Sequence, residues 1–339
     1  MKILFRLDAT TAIGTGHLMR ALTLADAFVS EGKKLALQVD CCFYTQTLPE
    51  TLKNLVLARG FSTLHTNQLN ADIAPIEHAQ PDLVIVDHYG LDASWERKLD
   101  GRFPLLVLDD LADRPHHANW LLDQGPLRQP NDYKPWLNSD CQLLLGGQYA
   151  LIRPEFRLVK KNQDPTILRR GFICFGGADP VHATFKLLKS LGKVKNAHQI
   201  QWRVVAGAAN PDWLQLEQLC QNSSLPIELI RHEPNITQQL DWADFAIGAA
   251  GGMTWERCCV GLPTLAVPIV DNQSFNAQVI DHFQLARLLD FAHLDDALLL
   301  SKALDELAQK ADIYRLNSQK LIDGYGASRV AKQLISTLF

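Results

Sequence analysis

Short apolar runs alternate along the chain with segments whose apolar residues recur every three or four positions. The runs have the length and composition of strands that are buried on both faces of a sheet. The periodic segments predict helices: Leu18, Leu22 and Ala25, for example, predict a helix from His17 to about Ser30. This alternation predicts an α/β protein with parallel sheets that carry helices on both faces. The predicted strands lie at 2–8, 34–39, 82–87, 104–109, 120–123, 141–145, 171–175, 202–207, 227–230, 245–250 and 263–268.

The pattern restarts after a polar, charged segment near the middle of the 339-residue chain, which predicts two domains. A single hydrophobic core tends to stop growing at roughly 250–300 residues. We predict a Rossmann-like N-terminal domain at 1–150, a linker at 151–163 and a Rossmann-like C-terminal domain at 164–339, which includes the last helices of the chain. The two parallel sheets are expected to face each other across a cleft, with ligands beyond the carboxyl ends of the strands.

The first candidate site follows the first strand, where Gly14-Thr15-Gly16 precedes His17 and a helix. Gly14 and Gly16 let the backbone turn sharply beside a ligand, and the free N–H groups of a helix start favour anions. The positive helix end disfavours an imidazolium, so we expect a neutral His17 that is suited to general base catalysis. Arg20, one turn later, could bind a phosphate or a carboxylate. The alternative is a capping histidine with a surface arginine.

Acidic and aromatic side chains follow several predicted strands of the N-terminal domain, at the sheet edge where ligands bind. These residues are Asp8, Asp87, Tyr89, Asp109 and Asp110. Any one of the acids could simply cap a loop or a helix. Taken together with His17, however, the set indicates a ligand-binding cleft.

A second candidate site lies in the C-terminal domain, where Gly251-Gly252-Met253-Thr254 leads from a strand into a helix. The backbone N–H groups and the Thr254 hydroxyl could cradle a diphosphate. Glu256, in the first helical turn, could accept hydrogen bonds from ribose hydroxyls, or could only face the helix dipole.

Amide side chains and another glycine loop extend this second site. Asn272, Gln273 and Asn276 follow the next strand, where amides can read sugar hydroxyl and acetamido groups. Helix capping by Asn272 or Ser274 would explain the same pattern. Gly177 lies in the loop after the first strand of the domain, where it either closes over phosphates or only forms the turn.

Composition argues against several other classes of protein. The formal net charge is −4 and no basic cluster stands out, so we expect no nucleic-acid partner. No apolar run is long enough to span a bilayer and no signal peptide is expected, so we predict no membrane insertion. The seven cysteines form no Cys-x-x-Cys motif, as is typical of buried thiols in a cytoplasmic protein. Histidines and carboxylates show no metal-ligand spacing, so we predict no metal and no cofactor.

Five short motifs occur in order over nearly the whole chain. They are Gly14-Thr-Gly-His17-x-x-Arg20, Val86-Asp87-His88-Tyr89, Phe175-Gly-Gly-Ala-Asp179, Gly251-Gly-Met-Thr-Trp-Glu256 and Asp271-Asn272-Gln273-x-x-Asn276. Together they resemble the nucleotide-sugar hydrolases of pseudaminic acid biosynthesis, whose fold is similar to that of GT-B glycosyltransferases. The first motif favours the hydrolases, because the later glycine loop, Glu256 and the Asn-Gln segment are shared with the wider GT-B superfamily.

The resemblance implies roles for individual residues. It implies that His17 is the general base, that Tyr89 lines the sugar site, and that Glu256 and Asn272 or its neighbours hold the nucleotide and substrate. It also implies catalysis without a metal. No family role carries over to Arg20 or Asp8.

The activity that the resemblance implies is hydrolysis of UDP-2,4-diacetamido-2,4,6-trideoxy-β-L-altropyranose at its anomeric carbon, which yields UDP and the free sugar. The expected partner is this UDP-linked diacetamido sugar, bound by a monomer or weak homo-oligomer. Two alternatives use the same nucleotide site: a GT-B glycosyltransferase with a UDP-sugar donor, and a non-catalytic nucleotide-sugar binding protein. The identity of the products separates the three.

Overall fold

The computed structural model describes residues 1–9, 16–66, 73–159, 168–207, 209–231, 233 and 235–339. These residues form two compact units, each built around its own parallel sheet. Unit 1 comprises Met1–Arg153 together with Gly324–Phe339, and unit 2 comprises Pro154–Asp323. Helices and strands are numbered along the whole chain.

In the described part of unit 1, apolar runs form seven strands of one sheet. The strands are β1 (Lys2–Leu7), β2 (Asp40–Thr45), β3 (Ser62–His65), β4 (Leu83–Asp87), β5 (Leu105–Leu108), β6 (Trp120–Asp123) and β7 (Gln142–Leu145). The helices are α1 (Gly16–Lys34), α2 (Glu50–Ala58), α3 (Ala74–Ala79), α4 (Ala93–Glu96), α5 (Pro130–Tyr133) and α14 (Gly326–Leu338), with a 3₁₀ turn at Gly147–Tyr149. The central strands are buried on both faces, as their continuous apolar composition predicts.

The strand order of unit 1 is β3-β2-β1-β4-β5-β6-β7, and all neighbouring strands are parallel. β1 pairs with β2 on one side and with β4 on the other, where Leu7 lies opposite Asp87. The strand order reverses direction between β1 and β4, which makes this the topological switch point of the sheet. Side chains that follow β1 and β4 therefore lie close together at the carboxyl edge.

Helix α14, the last helix of the chain, covers part of unit 1 by packing against α1. Val330 and Leu334 of α14 are fully buried in the same apolar cluster as Leu18 of α1. Gly326 begins α14 against the backbone of Ala150, where a Cβ atom would clash. The last helix is thus part of the core that supports the first one.

Unit 2 repeats the strand order of unit 1 over its described residues, as β10-β9-β8-β11-β12-β13 with all pairs parallel. Its switch point lies between β8 and β11. The strands are β8 (Arg170–Cys174), β9 (Gln201–Val205), β10 (Ile227–Ile230), β11 (Phe245–Ala249), β12 (Thr264–Val267) and β13 (Arg287–Leu288). The helices are α6 (Glu155–Leu158), α7 (Ala183–Leu191), α8 (Trp213–Gln221), α9 (Ile236–Trp242), α10 (Met253–Val260), α11 (Ser274–Phe283), α12 (Ala297–Gln309) and α13 (Ala311–Leu321). The 3₁₀ turns are Ala197–Gln199, Asp271–Gln273 and Phe291–His293.

The structure corrects the prediction of a strand at 34–39. Helix α1 continues to Lys34, and the strand beside β1 is β2, at Asp40–Thr45. Apolar residues at positions 35, 37 and 39 alternate as in a strand, but Leu35 is 60% exposed. The alternation therefore belongs to a turn in which the Leu35 and Leu37 N–H groups donate to the Gly32 carbonyl.

The structure also differs from the predicted domain boundaries. The sequence pattern assigns the last helix to the C-terminal domain, whereas α14 packs in unit 1. Glu155–Leu158, inside the predicted linker, is helix α6 of unit 2, and residues 160–163 lie outside the described part of the chain. An amphipathic helix carries an apolar face wherever it packs, so its sequence does not say which sheet it covers.

Candidate active site

His17 lies at the switch point of unit 1, in the first turn of the helix that follows β1. His17 is 7% exposed, and the last residue of β4, Asp87, is 2% exposed beside it. His17 Nδ1 lies 2.5 Å from Asp87 Oδ1. The strand order of the sheet thus brings together two residues that are 70 positions apart in the sequence.

The hydrogen bond to Asp87 decides which nitrogen of His17 carries the proton in the neutral ring. Burial alone would raise the pKa of Asp87, but the charge and hydrogen bonds of Arg20 and the nearby His17 lower it to about 2. An ionised carboxylate only accepts hydrogen bonds, so Nδ1 of His17 must donate. The Nε2 atom of a neutral His17 is then an acceptor, which is the form that a general base requires.

Arg20 fixes this pair from one helical turn away. Its Nε donates to Asp87 Oδ2 at 2.5 Å and its Nη2 donates to Asp87 Oδ1 at 2.6 Å, which is the bidentate geometry of a strong ion pair. Its Nη1 donates to Asp110 Oδ2 at 2.9 Å. Burial alone would lower the pKa of Arg20, but the two carboxylates raise it. Arg20 therefore binds two carboxylates of the protein itself.

Tyr89 stands at the open side of this cluster. Its ring is 48% exposed and meets the ring of His17 edge-on, with centroids 4.7 Å apart. Its hydroxyl donates to Asp110 Oδ2 at 3.4 Å. Burial and the charge of Asp110 raise the pKa of Tyr89, so the phenol stays protonated and can donate. About half of the Tyr89 surface is therefore accessible beside His17.

Asp8 supports the loop that carries Asp87 and Tyr89. His88 Nδ1 accepts the Gly90 N–H at 2.9 Å, so its Nε2 carries the proton that is donated to Asp8 Oδ2 at 3.0 Å. Burial alone would raise the pKa of Asp8, but His88 and Arg6 lower it well below its usual range. Asp8 therefore holds the turn after β4 in place.

The sequence pattern does not indicate two arginines that lie in this region. Arg114 lies 6.0 Å from the ring centroid of Tyr89 and pairs with Asp109, and Arg128 donates to the Asp110 carbonyl at 2.7 Å. Both come from irregular segments, where sequence spacing gives no direction for a side chain. The only indication in the sequence that arginines could lie here is the pair of acids that they contact, at positions 109 and 110.

The glycine loop of unit 2 lies at the other switch point, between β11 and α10. Gly252 is exposed, and a Cβ atom there would meet nothing within 4 Å. The Thr254 N–H donates to the Gly251 carbonyl and the Trp255 N–H to the Gly252 carbonyl. This turn leaves open space above the first N–H groups of a helix, which is suited to an anion.

Amide side chains from the next segment support this loop. Asn276 Nδ2 donates to the Ala250 carbonyl at 2.8 Å, and Gln273 Oε1 accepts the Ile269 N–H at 3.0 Å. Gln273 also lies against Gly251, because a Cβ there would be 3.4 Å from its Nε2. Asn272 is exposed. Of the three amides, Gln273 and Asn276 thus contact the loop itself.

The remaining candidate residues fall into three groups. Met253 and Glu256 are partly buried in the first turn of α10. Gly177 is exposed, and the backbone of Gly207 packs closely against it. Gly16 begins α1 with open space around it, whereas Gly14 lies outside the described residues.

The described residues offer neither a metal site nor a membrane span. No group of three or more histidine, cysteine or carboxylate side chains among them could hold a metal ion. No helix in the same residues has the length and apolar character needed to cross a bilayer.

Two Rossmann-like units, each with a parallel sheet, define the fold class as that of the GT-B glycosyltransferases. MurG from Acinetobacter baumannii shares this fold, with a TM-score of 0.66 and 15% identity over 99% of this chain and 100% of that one. The sequence profile of the glycosyltransferase family 28 C-terminal domain matches residues 173–334.

Two curated relatives are similar to the chain in sequence. The UDP-2,4-diacetamido-2,4,6-trideoxy-β-L-altropyranose hydrolase of Campylobacter jejuni is 27% identical over 280 residues, which cover 82% of this chain and 95% of the relative. The UDP-N-acetylglucosamine–N-acetylmuramyl-(pentapeptide) pyrophosphoryl-undecaprenol N-acetylglucosamine transferase of Wolinella succinogenes is 28% identical over 120 residues, or 34% of this chain and 36% of the relative. The resemblance to the hydrolases is confirmed, and it extends over most of the chain.

Proposed function

We propose that this protein hydrolyses a UDP-linked 2,4-diacetamido-2,4,6-trideoxy sugar at its anomeric carbon. The observation that carries the proposal is the buried Asp87–His17 pair, with a 2.5 Å hydrogen bond, at the switch point of unit 1. The similarity to the Campylobacter jejuni hydrolase over 82% of the chain supports the same reaction. UDP would bind at the glycine loop of unit 2.

His17 would act as the general base. The Nε2 atom takes a proton from water while the water oxygen attacks the anomeric carbon. Asp87 keeps the donating hydrogen on Nδ1 and stabilises the imidazolium that forms, which is the role of the carboxylate in other Asp–His pairs. Arg20 holds Asp87 ionised through two hydrogen bonds. Tyr89, half exposed beside His17, would contact the sugar.

The bond between the anomeric carbon and the diphosphate oxygen breaks, and its electron pair leaves with UDP. The N–H groups of Gly252 and Met253 precede those of Thr254 and Trp255, which donate within the turn. We assign Gly252 and Met253 to the growing charge on the diphosphate, where fixed donors contribute most to catalysis. Glu256 would hold the ribose hydroxyls, and Asn272 would reach the substrate from an exposed position.

A GT-B glycosyltransferase is the second candidate. The match of the glycosyltransferase family 28 C-terminal profile to residues 173–334 favours it, because those residues include the glycine loop of unit 2. The similarity to the Campylobacter jejuni hydrolase over 82% of the chain favours hydrolysis, whereas the Asp87–His17 pair would serve either reaction. A transferase would use the same base on an acceptor hydroxyl.

Hydrolysis in ¹⁸O-labelled water tests the proposal. We expect UDP release without an acceptor, with the label on the anomeric oxygen of the free sugar and none on UDP. Label on UDP would mean attack at phosphorus, and would contradict the reaction proposed here. UDP release that depends on an added acceptor would favour the transferase, and binding without turnover would favour a binding protein.

A further inference from the structure

Arg257 of helix α10 is buried beneath the glycine loop of unit 2. It is 1% exposed, and its side chain reaches back toward the start of the helix. Its Nη2 donates to the Ala249 carbonyl at 2.6 Å and to the Thr254 hydroxyl at 3.2 Å. The guanidinium therefore joins the end of β11 to the first turn of α10, the two sides of the loop.

The rest of this guanidinium has no hydrogen-bond partner among the described residues. The Nε and Nη1 atoms are buried and make no hydrogen bond. Gly248 provides the room, because a Cβ at that position would clash with Nη1 of Arg257 and with the Cys174 carbonyl. An arginine placed only to join two segments would be expected to satisfy its buried donors.

The one carboxylate that acts on the charge of Arg257 is that of its neighbour Glu256, which raises its pKa but does not form an ion pair with it in the described residues. Arg257 forms no ion pair with any other residue in the described part of the chain, and the thiols of Cys174 and Cys258 stay neutral because burial raises the pKa of each. Burial lowers the pKa of Arg257 itself, yet an arginine begins so high that it remains charged at neutral pH. A buried charge without a partner disfavours folding, and a function that uses the charge would explain its presence.

We propose that Arg257 is a positioning residue for the diphosphate. Its guanidinium supplies a fixed positive charge beneath the glycine loop. Because the Thr254 hydroxyl accepts a hydrogen bond from Arg257, its own proton is left to point elsewhere. A diphosphate on the loop is the acceptor for that proton and the counter-charge for the guanidinium. This inference rests on the proposed function, in that UDP occupies the loop.

The test compares Arg257→Met with the wild-type protein. Calorimetry with UDP and with inorganic pyrophosphate measures binding, and urea unfolding measures stability. Loss of the charge should weaken binding of both ligands by roughly 10- to 100-fold. In the ligand-free protein, the midpoint of urea unfolding should stay the same or rise, because a buried charge that has no ion-pair partner is removed. A purely structural arginine predicts a lower midpoint, so a lower midpoint would contradict the proposal, as would unchanged affinity.

Three further variants sharpen the result. Arg257→Lys keeps the charge and should retain most of the pyrophosphate affinity, whereas affinity as low as that of Arg257→Met would contradict a role for charge. When Thr254→Val is combined with Arg257→Met, the loss of binding free energy should be smaller than the sum of the losses in the two single variants, since the two side chains are in contact. Arg203→Met is the matched control, because Arg203 is paired with Glu228, and it should bind UDP normally.

The outcomes also separate this inference from the proposed reaction. If the wild-type protein binds UDP and pyrophosphate but releases no sugar, hydrolysis is wrong and the Arg257 effect on binding still decides the inference. If the wild-type protein binds neither ligand, the inference itself is wrong.

Discussion

Asp87 is the side chain on which we expect the proposed reactivity of His17 to depend most. Both of its oxygens are engaged, one with His17 and both with Arg20. Its pKa of about 2 keeps it ionised over the whole range in which His17 could work as a base. A buried carboxylate in this position orients the imidazole and is not free to bind a substrate.

Asp87→Asn should therefore abolish most turnover without removing the substrate site. An amide in place of the carboxylate can donate to Nδ1 of His17, which would put the proton on Nε2 and remove the base. We expect the rate of UDP release to fall by roughly 10²–10⁴-fold with UDP affinity kept. The double variant with His17→Asn should be no slower than the slower single variant, because the two residues act as a unit.

In unit 2, Glu256 is the residue that we expect to bind the ribose. It lies in the first turn of α10, directly after the loop to which we assign the diphosphate. Glu256→Ala should weaken UDP binding by about 2–4 kcal/mol, since the ribose hydroxyls would lose their hydrogen bonds to a charged acceptor. Calorimetry with UDP measures this, with Glu217→Ala in α8 as the control. Equal UDP affinity in the two variants would remove Glu256 from the site.

His116 should make the stability of unit 1 depend on pH. Burial alone would lower its pKa, but the Asp109 carboxylate, 3.7 Å from its Nε2, and the 2.8 Å hydrogen bond with Glu96 raise it to about 9. A raised folded-state pKa means that the stabilisation is complete below about pH 6.5 and is lost as the pH rises through about 9. His116→Gln should flatten this loss, which amounts to at most about 3 kcal/mol. Urea unfolding at both ends of this range would measure it, and an equal loss in the variant would contradict the assignment.

Sequence patterns predict where residues lie on strands and helices better than they predict which long side chains contact each other. The position of His17 after β1 and of Asp87 after β4 follows from apolar runs and their ends, because sheet topology alone brings such positions together. The Arg114 contact with Tyr89 and the unpartnered donors of Arg257 depend on how long side chains pack, which no periodicity encodes. Arg257 stands in a helix with no sequence signal that separates it from a surface arginine.

At the scale of elements, the last helix is the clearest difference between sequence and structure. Its apolar face repeats at helical spacing, and this fixes the helix but not the sheet on which it packs. Packing against α1 makes it a support of the helix that carries His17 and Arg20.

Leu334→Ala tests this assignment. Leu334 is fully buried, so the substitution should destabilise unit 1 by about 2–5 kcal/mol. Amide hydrogen exchange should speed up in peptides of α1 and leave those of β8 and β11 unchanged. Leu298→Ala is the control, because Leu298 is 79% exposed and should change little. Faster exchange in β8 and β11 with α1 unaffected would mean that α14 packs in unit 2, and would contradict the assignment.

At the scale of the whole molecule, two units with the same strand order carry different chemistry at equivalent places. In unit 1 the switch point holds a histidine, a carboxylate and an arginine, and in unit 2 it holds a glycine loop over a buried arginine. Repetition of the order predicts where each site lies, whereas the residues there decide what it does. We assign the base to unit 1 and the diphosphate to unit 2.

This division of roles leads to the most direct test, which is the turnover and UDP affinity of His17→Asn measured side by side. We expect UDP release to fall by roughly 10²–10⁴-fold, the usual contribution of a positioned base, with UDP affinity unchanged. The matched control is His117→Asn, because His117 also pairs with a carboxylate, Asp100, at 3.0 Å in unit 1, and it should keep full turnover. A folded His17→Asn protein that releases UDP within a few-fold of the wild-type rate would contradict the account.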